Sequence, residues 1–408
     1  MMSTTLDVLG QPKVEQEMRV SVVQDTLAKA LGVVSRAMTG RPAMPILAYV
    51  LVTTDGERLR LSATNLETTI TAWIPARVLT EGTTCLQGAI VRETVGALPS
   101  GREVSIDVKG NEVKVDCERV EANLKGADVN EFPQVALMDV EPALRLPAGE
   151  LKRAIEQVVY AAAKDESRPV LAGVNLRIAD GKLRLAAADG YRLSIRDSEL
   201  ASPAPDVDVI IPAKAMIEVA KALGADDDQV EVLIADNRTL AGFRMPFDSR
   251  QPIHGEVLIT TRLLEGTFPD LDRVVPTNET TTVLVDRDTL QRAIKVASIF
   301  ARDSADVVLF EITPPLDKNG LGPGHVNVSA WSPHHGDNAT VVPCQVTGEP
   351  LAISFNAGYV REFLASLKTV QVALKFGGPL SSGLFDGGSE DRGIRHVIMP
   401  MHNQNRKQ

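Results

Sequence analysis

Two clusters of polar residues in this 408-residue chain contain side chains that could do chemistry. The segment ADDDQ (225–229) has three adjacent carboxylates, and WSPHHGD (331–337) has two adjacent histidines, with His325 shortly before them. Imidazole and carboxylate groups are common metal ligands, so a metal-dependent hydrolase is one interpretation. Both segments also have the composition of solvated loops, since the first follows Gly224 and the second contains a proline. The sequence has no P-loop, GxSxG or HExxH motif, so we favour loops and expect no catalytic residue, metal or cofactor.

The bulk composition is that of an ordinary globular protein of two or three domains, with 44% apolar and 24% charged residues. The net charge of −10 argues against a nucleic-acid partner unless the charges are segregated. The three cysteines are scattered and never spaced as CxxC, which favours a reducing compartment: Cys85, Cys117 and Cys344. The longest strongly apolar stretch (43–52) is too short to cross a bilayer, and the N-terminus lacks a secretory signal. We therefore expect a soluble, cytoplasmic protein with no membrane partner.

One pattern of elements occurs three times along the chain. Apolar residues at helical spacing predict a helix at 24–40, at 149–165 and at 287–303. A predicted strand pair follows each helix, joined by Asp-Gly in the first two copies and by a longer loop (313–324) in the third. A second helix and further strands complete each copy, so the sequence predicts a triplicated unit of about 130 residues.

A turn segment also repeats at domain spacing. LSATNLETT (61–69) is similar to AAADGYRLS (186–194), so that Asn65 precedes Asp189 by 124 positions. The second copy adds an aromatic residue and an arginine directly after the turn, which a plain hairpin does not need. This difference makes the second copy a candidate functional site.

Positive charge is concentrated on the predicted helices. Six helical windows together carry a net charge of +6, which leaves −16 for the rest of the chain. In the helix at 287–303, Arg292, Lys295 and Arg302 share one face beside an apolar face. In a single helix, this pattern is also typical of an ordinary exposed amphipathic surface. Its repetition favours a cationic surface that contacts phosphate.

Five segments follow one another in an order that is specific when they are taken together: GRPAMPILAYVLV (40–52), RPVLAGVNLRIADGKLRLAAADGYRLS (168–194), GTFPDLDRVVP (266–276), FNAGYV (355–360) and HVIMPM (396–401). From about Met18 to Met401, the chain resembles the bacterial DNA polymerase III β-subunit family, the replication sliding clamps. The resemblance implies an α+β fold of three tandem clamp domains, each with two helices packed on antiparallel sheets, in a ring-shaped head-to-tail homodimer. The expected parts are a disordered N-terminal extension (1–17), clamp domains at 18–142, 143–276 and 277–403, and a C-terminal tail (404–408).

The resemblance implies that the chain is a processivity factor and not an enzyme. Such a ring encircles duplex DNA without reading its sequence. It also binds the clamp loader, the replicative polymerase α subunit and other proteins that carry clamp-binding motifs. A paralogous clamp that confers resistance to clamp-binding antibiotics remains an alternative.

A pocket for partner peptides is implied beside the Asp189 turn. The motifs carry the following residues over to it: Leu171, Gly190, Tyr191, Arg192, Leu193, Pro269, Arg273, Val274, Asn356, Tyr359, Leu380, Ser382, Val397, Ile398, Met399, Pro400 and Met401. A groove lined by Met and Leu adapts to varied apolar anchors. Taken alone, HVIMPM is more typical of an apolar core strand that ends at a proline.

Residues for DNA and for the dimer are implied in the same way. The DNA-facing cations are Arg41, Arg168, Lys214, Lys295 and Arg302. The dimer interface includes Leu124, Ile299 and Phe300, although the last two also fit an internal core position. The chain departs from the family pattern in its N-terminal extension, in an insertion at 244–257 and in having Tyr191 where histidine is frequent.

Overall fold

The computed structural model describes residues 17–38, 40, 42–165, 167–247, 255–315 and 324–402. The C-terminal tail, residues 1–16 of the N-terminal extension and residues 248–254 of the insertion lie outside the described residues, as does Arg41.

The predicted helices are all present in the described part of the chain. They are α1 (Gln24–Val34), α2 (Gly88–Ala97), α3 (Ala148–Glu156), α4 (Ala213–Ala222), α5 (Arg287–Ala301) and α6 (Ala357–Ser366). The strands are β1 (Glu17–Val23), β2 (Tyr49–Asp55), β3 (Arg58–Thr64), β4 (Thr68–Pro75), β5 (Arg77–Thr80), β6 (Thr83–Gln87), β7 (Glu103–Lys109), β8 (Glu112–Cys117), β9 (Val120–Ala127), β10 (Leu144–Pro147), β11 (Gly173–Ala179), β12 (Lys182–Ala188), β13 (Arg192–Glu199), β14 (Val207–Pro212), β15 (Gln229–Ile234), β16 (Leu240–Phe247), β17 (Gly255–Arg262), β18 (Thr281–Asp286), β19 (Val307–Thr313), β20 (Gly324–Ser332), β21 (Gly336–Gly348), β22 (Leu351–Asn356), β23 (Gln371–Phe376), β24 (Gly383–Gly387) and β25 (Asp391–Ile398).

Helix α3 is shorter than the sequence predicts, since it ends at Glu156 and not near residue 165. The backbone carbonyl of Gln157 accepts a hydrogen bond from the Ser194 hydroxyl at 2.6 Å, and its side-chain amide donates to Asp391 at 2.9 Å. These contacts with distant strands replace continued helical bonding, and a 3₁₀ turn at Val159–Ala161 follows. Helical periodicity in a sequence does not reveal such tertiary competition.

The chain divides into two compact units, Met1–Leu151 with Glu218–Leu263 (unit 1) and Lys152–Ile217 with Leu264–Gln408 (unit 2). Unit 1 contains a 13-stranded sheet in the order β10-β15-β16-β17-β4-β3-β2-β6-β9-β8-β7-β1-β5. Unit 2 contains a 12-stranded sheet in the order β14-β11-β12-β13-β25-β24-β23-β18-β21-β20-β19-β22.

Neighbouring repeats join through strand pairing. In unit 1, β17 at the end of the second repeat pairs antiparallel with β4 of the first repeat. In unit 2, β25 at the end of the third repeat pairs antiparallel with β13 of the second, from Arg192 opposite Ile398 to Arg196 opposite Ile394. The same type of ladder therefore forms both junctions.

The two Asp-Gly hairpins are confirmed, and they use different turns. Asp180 and Gly181 form the two-residue loop between β11 and β12 with φ of 52° and 71°, as a type I′ turn requires. Between β2 and β3 the loop is shifted by one residue to Gly56 and Glu57, with φ of 59° at Gly56, which fits type II′. Both turn types match the twist of the flanking strands.

The core of the third repeat lies between α5, α6 and the strands of unit 2. The apolar face predicted for α5 is buried, including Leu290 and Ile294. Phe355 packs edge-on against Phe310 and Phe385, with ring centroids 5.8 and 5.4 Å apart. Helix α5 begins at a cap in which Asp286 accepts the Thr289 amide hydrogen at 2.8 Å. Among the described residues, no helix is both long and apolar enough to cross a membrane.

Candidate functional site

The repeated turn has the same hydrogen bonding in all three repeats. Asp189 Oδ1 accepts the amide hydrogens of Tyr191 and Arg192 at 2.9 and 3.0 Å. Asn65 Oδ1 accepts those of the residues two and three positions later at 3.0 and 2.8 Å. Ser332 Oγ does the same, at 3.1 Å for each. A side-chain oxygen that bonds its own backbone two and three residues on is a standard turn device, which explains the sequence repeat.

Arg192, the residue added after the second turn, is almost completely buried, with its side chain 3% exposed. Its guanidinium donates to Asp189 at 3.1 Å, to Glu362 at 2.5 Å and to the Tyr160 carbonyl at 2.5 Å. It also lies 4.2 Å from the centre of the Tyr359 ring. The fixed fork of an arginine suits several partners at once, and here it connects the turn to α6.

A buried polar group lies behind Arg192. The Tyr160 hydroxyl is 3.3 Å from Ser194 Oγ and 3.4 Å from His396 Nδ1. The His396 ring stacks on Phe363 at 5.2 Å, and its Nε2 has no hydrogen-bond partner among the described residues. Burial, helped by the Arg192 charge, lowers the pKa of His396 to about 3, so the imidazole is neutral. Burial raises the pKa of the Tyr160 phenol to about 12.

An apolar groove of about 170 Å³ lies beside this turn. It is lined by Leu171, Ala188, Gly190, Tyr191, Arg192, Leu193, Pro269, Leu271, Val274, Val397 and Met399. The Met399 amide donates to the Tyr191 carbonyl at 2.9 Å, which holds the end of the last strand against the turn. Tyr191 and Met399 are 62% and 43% exposed, so two large apolar side chains lie exposed at the rim.

Sequence reasoning missed two lining residues, Ala188 and Leu271. Leu271 belongs to a buried cluster with Leu193 and Val397. The sequence does carry a sign of both: Ala188 immediately precedes the Asp189 turn, and Leu271 follows the Phe-Pro-Asp segment.

Eight of the residues predicted for the pocket do not line this groove. Asn356 caps α6 by accepting the Tyr359 amide hydrogen at 3.2 Å, and Tyr359 packs on the buried guanidinium. Ile398 belongs to the core of the third repeat. Leu380 is 78% exposed in the loop after β23. The other four are Arg273, exposed and paired with Asp270 at 3.0 Å, Met401, whose amide donates to the Ser354 carbonyl at 2.8 Å, and the half-buried Ser382 and Pro400.

The two polar clusters, at 225–229 and 331–337, form hydrogen bonds and an ion pair within the fold. In ADDDQ, the carbonyl of Asp226 accepts the Gly149 amide hydrogen at 3.0 Å, and Asp228 Oδ2 accepts that of Ala225 at 3.0 Å. In WSPHHGD, both histidine amides bond to Ser332, and the His335 ring lies 3.3 Å from Asp303. Over the described ranges, no group of three or more His, Cys, Asp or Glu residues could hold a metal ion.

Comparison with known proteins agrees with this geometry. Models of the DNA polymerase III β subunit match the chain in order: its N-terminal domain over 18–136, its central domain over 145–270 and its C-terminal domain over 272–402. The chain belongs to the DNA polymerase III β-subunit family. The α+β fold of three tandem clamp domains is thereby confirmed.

Its relatives resemble it over nearly their whole length. The β sliding clamp of Synechococcus elongatus is 26% identical over 390 residues, covering 94% of this chain and 99% of the relative. That of Proteus mirabilis is 28% identical over 386 residues, covering 94% and 100%. The crystal structure of the Bacillus subtilis DNA polymerase sliding clamp has a TM-score of 0.85 at 26% identity, covering 95% of this chain and 100% of that one.

The cations predicted to face DNA occupy different settings in this clamp-family chain. Lys214 on α4, Lys295 on α5 and Arg302 at the end of α5 are exposed. Arg168 is exposed as well, and its guanidinium lies over Gly190, where a Cβ would be 2.7 Å from Nη1. Arg168 therefore lies at the groove.

Unit 1 contains a basic cavity that the sequence did not indicate. It has a volume of about 790 Å³, and its cationic lining residues are Lys29 and Arg36 from the first repeat and Lys221 from the second. Arg36 donates to the Lys221 carbonyl at 3.1 Å. Burial lowers the pKa of Arg36, and the nearby Glu218 carboxylate opposes that shift.

The residues predicted for the dimer lie on two elements. Leu124 is half-buried on β9 of unit 1. In unit 2, Ile299 is 51% exposed on α5, whereas Phe300 packs partly against the core. Helix α5 lies against β20 and β21.

Proposed function

We propose that this protein is a replication sliding clamp, a non-catalytic processivity factor that encircles duplex DNA and tethers the replicative polymerase. The observation that carries the proposal is the ordered match of all three β-subunit domains from residue 18 to residue 402. Relatives of nearly equal length are named β sliding clamps, which favours this function over that of a resistance paralogue. We place its domains at 18–142, 143–276 and 277–403 and its activity in the cytoplasm.

The apolar groove is the proposed site for partner peptides. Its rim and floor combine large flexible side chains such as Met399 with a rigid, hydrogen-bonded turn at Asp189. Such a surface accepts the apolar and aromatic residues of a short motif, while exposed backbone and polar groups orient its glutamine. The polymerase α subunit, the clamp loader and other carriers of the motif are the proposed partners.

A head-to-tail homodimer is supported by the way in which the repeats join within one chain. The strand after the Asn65 turn pairs with the last strand of the second repeat, and the strand after the Asp189 turn pairs with the last strand of the third. One strand of each kind remains: β21, after the Ser332 turn, and β9, the last strand of the first repeat. Among the described residues, 336–344 of β21 and 120–125 of β9 are paired along one edge only. A second chain would pair these edges and close a ring, which removes exposed strand edges.

DNA binding is proposed through exposed helical cations, with Lys214, Lys295 and Arg302 as the described contributors. Arg41, which lies outside the described residues, stays a prediction. Lysine and arginine contacts to phosphate do not depend on base sequence, so they let a ring move along the duplex.

The test is primer extension by the polymerase and clamp loader of the same organism on singly primed circular DNA. We expect long products only when the protein is present, and loss of this gain on a linear template, from which a ring slides off. A Met399→Ala, Val274→Ala double variant should shorten the products, whereas Leu380→Ala, outside the groove, is the matched control. If an active polymerase and clamp loader give products of the same length with and without the protein, the clamp function is refuted.

A further inference from the structure

One wall of the groove has no regular secondary structure. Residues 269–274 form an irregular segment after β17, and its turn has one backbone hydrogen bond, from the Val274 amide to the Leu271 carbonyl at 3.0 Å. Phe268 and Val275 pack against the buried cluster beneath, which sets the depth of the wall. Apolar packing is non-directional, so it does not by itself fix the wall's position along the sheet.

A four-membered ionic cluster supplies that directional contact. Asp272, between the two groove residues Leu271 and Val274, accepts a hydrogen bond from Arg184 at 2.7 Å. Arg395 approaches the same carboxylate at 3.8 Å. The two arginines lie on β12 and β25, the strands on either side of β13.

Asp197 on β13 orients both arginines. Its two oxygens accept Arg184 Nε and Arg395 Nη2, each at 2.7 Å. Burial by itself lowers the pKa of Arg184, but its hydrogen bonds to Asp197 and Asp272 outweigh that effect and raise it. The cluster therefore joins β12 and β13 of the second repeat, β25 of the third repeat and the irregular segment at 269–274.

The carboxylate of Asp272 does not face the groove. It lines a separate charged cavity of about 320 Å³ together with Arg177, Asp180 and Lys182. Lys182 pairs with Glu199 at 3.1 Å, away from the wall. An effect of Asp272 on an apolar ligand must therefore act through the position of the wall.

We propose that Asp272 is a positioning residue for the groove: its hydrogen bond to Arg184 and its ion pair with Arg395 hold Leu271 and Val274 where a partner peptide needs them. The inference rests on the proposed function of the groove. It means that the Asp272 carboxylate increases the affinity of the groove for apolar peptides without contacting them.

The test compares two variants that each remove one negative charge from the same segment. Asp272→Asn removes the charge that pairs with Arg184 and Arg395, whereas Asp270→Asn, the control, removes the charge that pairs with the exposed Arg273. The probe is a fluorescent peptide containing Gln-Leu-Ser-Leu-Phe, without charged side chains, measured by polarisation with the full chain. Because the ion pairs are partly exposed, we expect Asp272→Asn to weaken peptide binding roughly fivefold. Asp272→Glu, which keeps the charge, should bind with an affinity much closer to that of wild type. Asp270→Asn should bind as tightly as wild type.

Two further readouts separate positioning from general destabilisation. Wild-type affinity should fall between 50 and 500 mM salt, since salt screens the cluster, and the Asp272→Asn variant should lose that dependence. Without peptide, the Val274 amide should exchange faster in Asp272→Asn than in Asp270→Asn, at equal melting temperatures.

Equal peptide affinity and equal Val274 exchange in the two variants would overturn the inference. A wild-type chain that binds no peptide would instead refute the groove's proposed function. The exchange of Val274 then still decides whether Asp272 holds the wall.

Discussion

Replacing the buried Arg192 by alanine should open the junction between the second and third clamp domains. The change removes hydrogen bonds to Glu362 and Asp189 and to the Tyr160 carbonyl, together with the contact over the Tyr359 ring. Breaking a buried ion pair typically costs about 3–5 kcal/mol. Here the carboxylates of Glu362 and Asp189 are 38% and 15% exposed and regain water, so the low end, about 3 kcal/mol, applies. That free energy corresponds to a roughly 100-fold rise in the opening equilibrium of the β13–β25 ladder.

Native-state hydrogen exchange of peptides covering 192–199 and 391–398 measures this opening directly. Arg192→Lys keeps the charge but loses the fork, so it should give an intermediate opening free energy. Arg273→Ala is the matched control, because that arginine is exposed and its partner among the described residues is Asp270. An increase in exchange of less than threefold in Arg192→Ala would show that the guanidinium does not hold the junction.

Four further outcomes are expected. Because the pKa of His396 is lowered to about 3, the unfolded chain binds this proton below pH 6.5 and the folded chain does not. Stability should thus decrease as the pH is lowered from about 6.5 to about 3, by up to about 1.4 kcal/mol per pH unit from this group. Urea midpoints of wild type and His396→Asn at pH 7 and 5 would test this. The phenol of Tyr160, with a pKa of about 12, should remain protonated at pH 11 in an absorbance titration of the folded protein, unlike in a denatured sample. Lys295→Glu with Arg302→Glu should reduce the slope of log affinity for duplex DNA against log salt by about 2, and an unchanged slope would remove these residues from the DNA surface. Ile299→Asp, at a half-exposed position on α5, should shift the protein to monomer in sedimentation velocity, and an intact dimer would exclude Ile299 from the interface.

Local patterns predicted the elements of the fold well, because they depend on neighbouring residues. Apolar spacing identified the first helix of each repeat, and Asp-Gly identified the first two hairpins. The early end of α3 could not be predicted, since it depends on bonds from Gln157 to Ser194 and Asp391, the latter more than 200 residues away.

The site was only partly predictable, for a similar reason. The resemblance brought together nine residues that do line the groove, but it could not reveal that Arg192 is buried, because arginine is mostly exposed. It also could not show that Arg168 lies over Gly190 or that Asp272 is held by two arginines. These facts depend on contacts between residues far apart in the chain, which leave no periodic pattern in a sequence.

The three equivalent turns explain why a groove develops at one of them. All three use a side-chain oxygen to bind the amides two and three residues later, so this hydrogen bonding alone does not distinguish a functional turn from the other two. In the first turn the residue three positions on is Thr68, whose hydroxyl closes the junction through a 3.2 Å contact with Thr261. In the second it is Arg192, whose long side chain turns inward to α6. Gly190, two positions before Arg192 and with φ of 93°, leaves room for the Arg168 guanidinium, where a side chain would collide.

The outward surface of the second turn therefore lies between cationic and aromatic side chains, and the side chains of the turn do not fill it. A Gly190→Ala substitution should displace Arg168 and strain the backbone, since alanine rarely adopts a positive φ. We expect weaker binding of the Gln-Leu-Ser-Leu-Phe peptide, with a loss larger than that of Arg168→Ala alone, because only the glycine change also moves Tyr191. Equal losses in the two variants, measured by polarisation, would mean that the glycine acts solely by making room for Arg168.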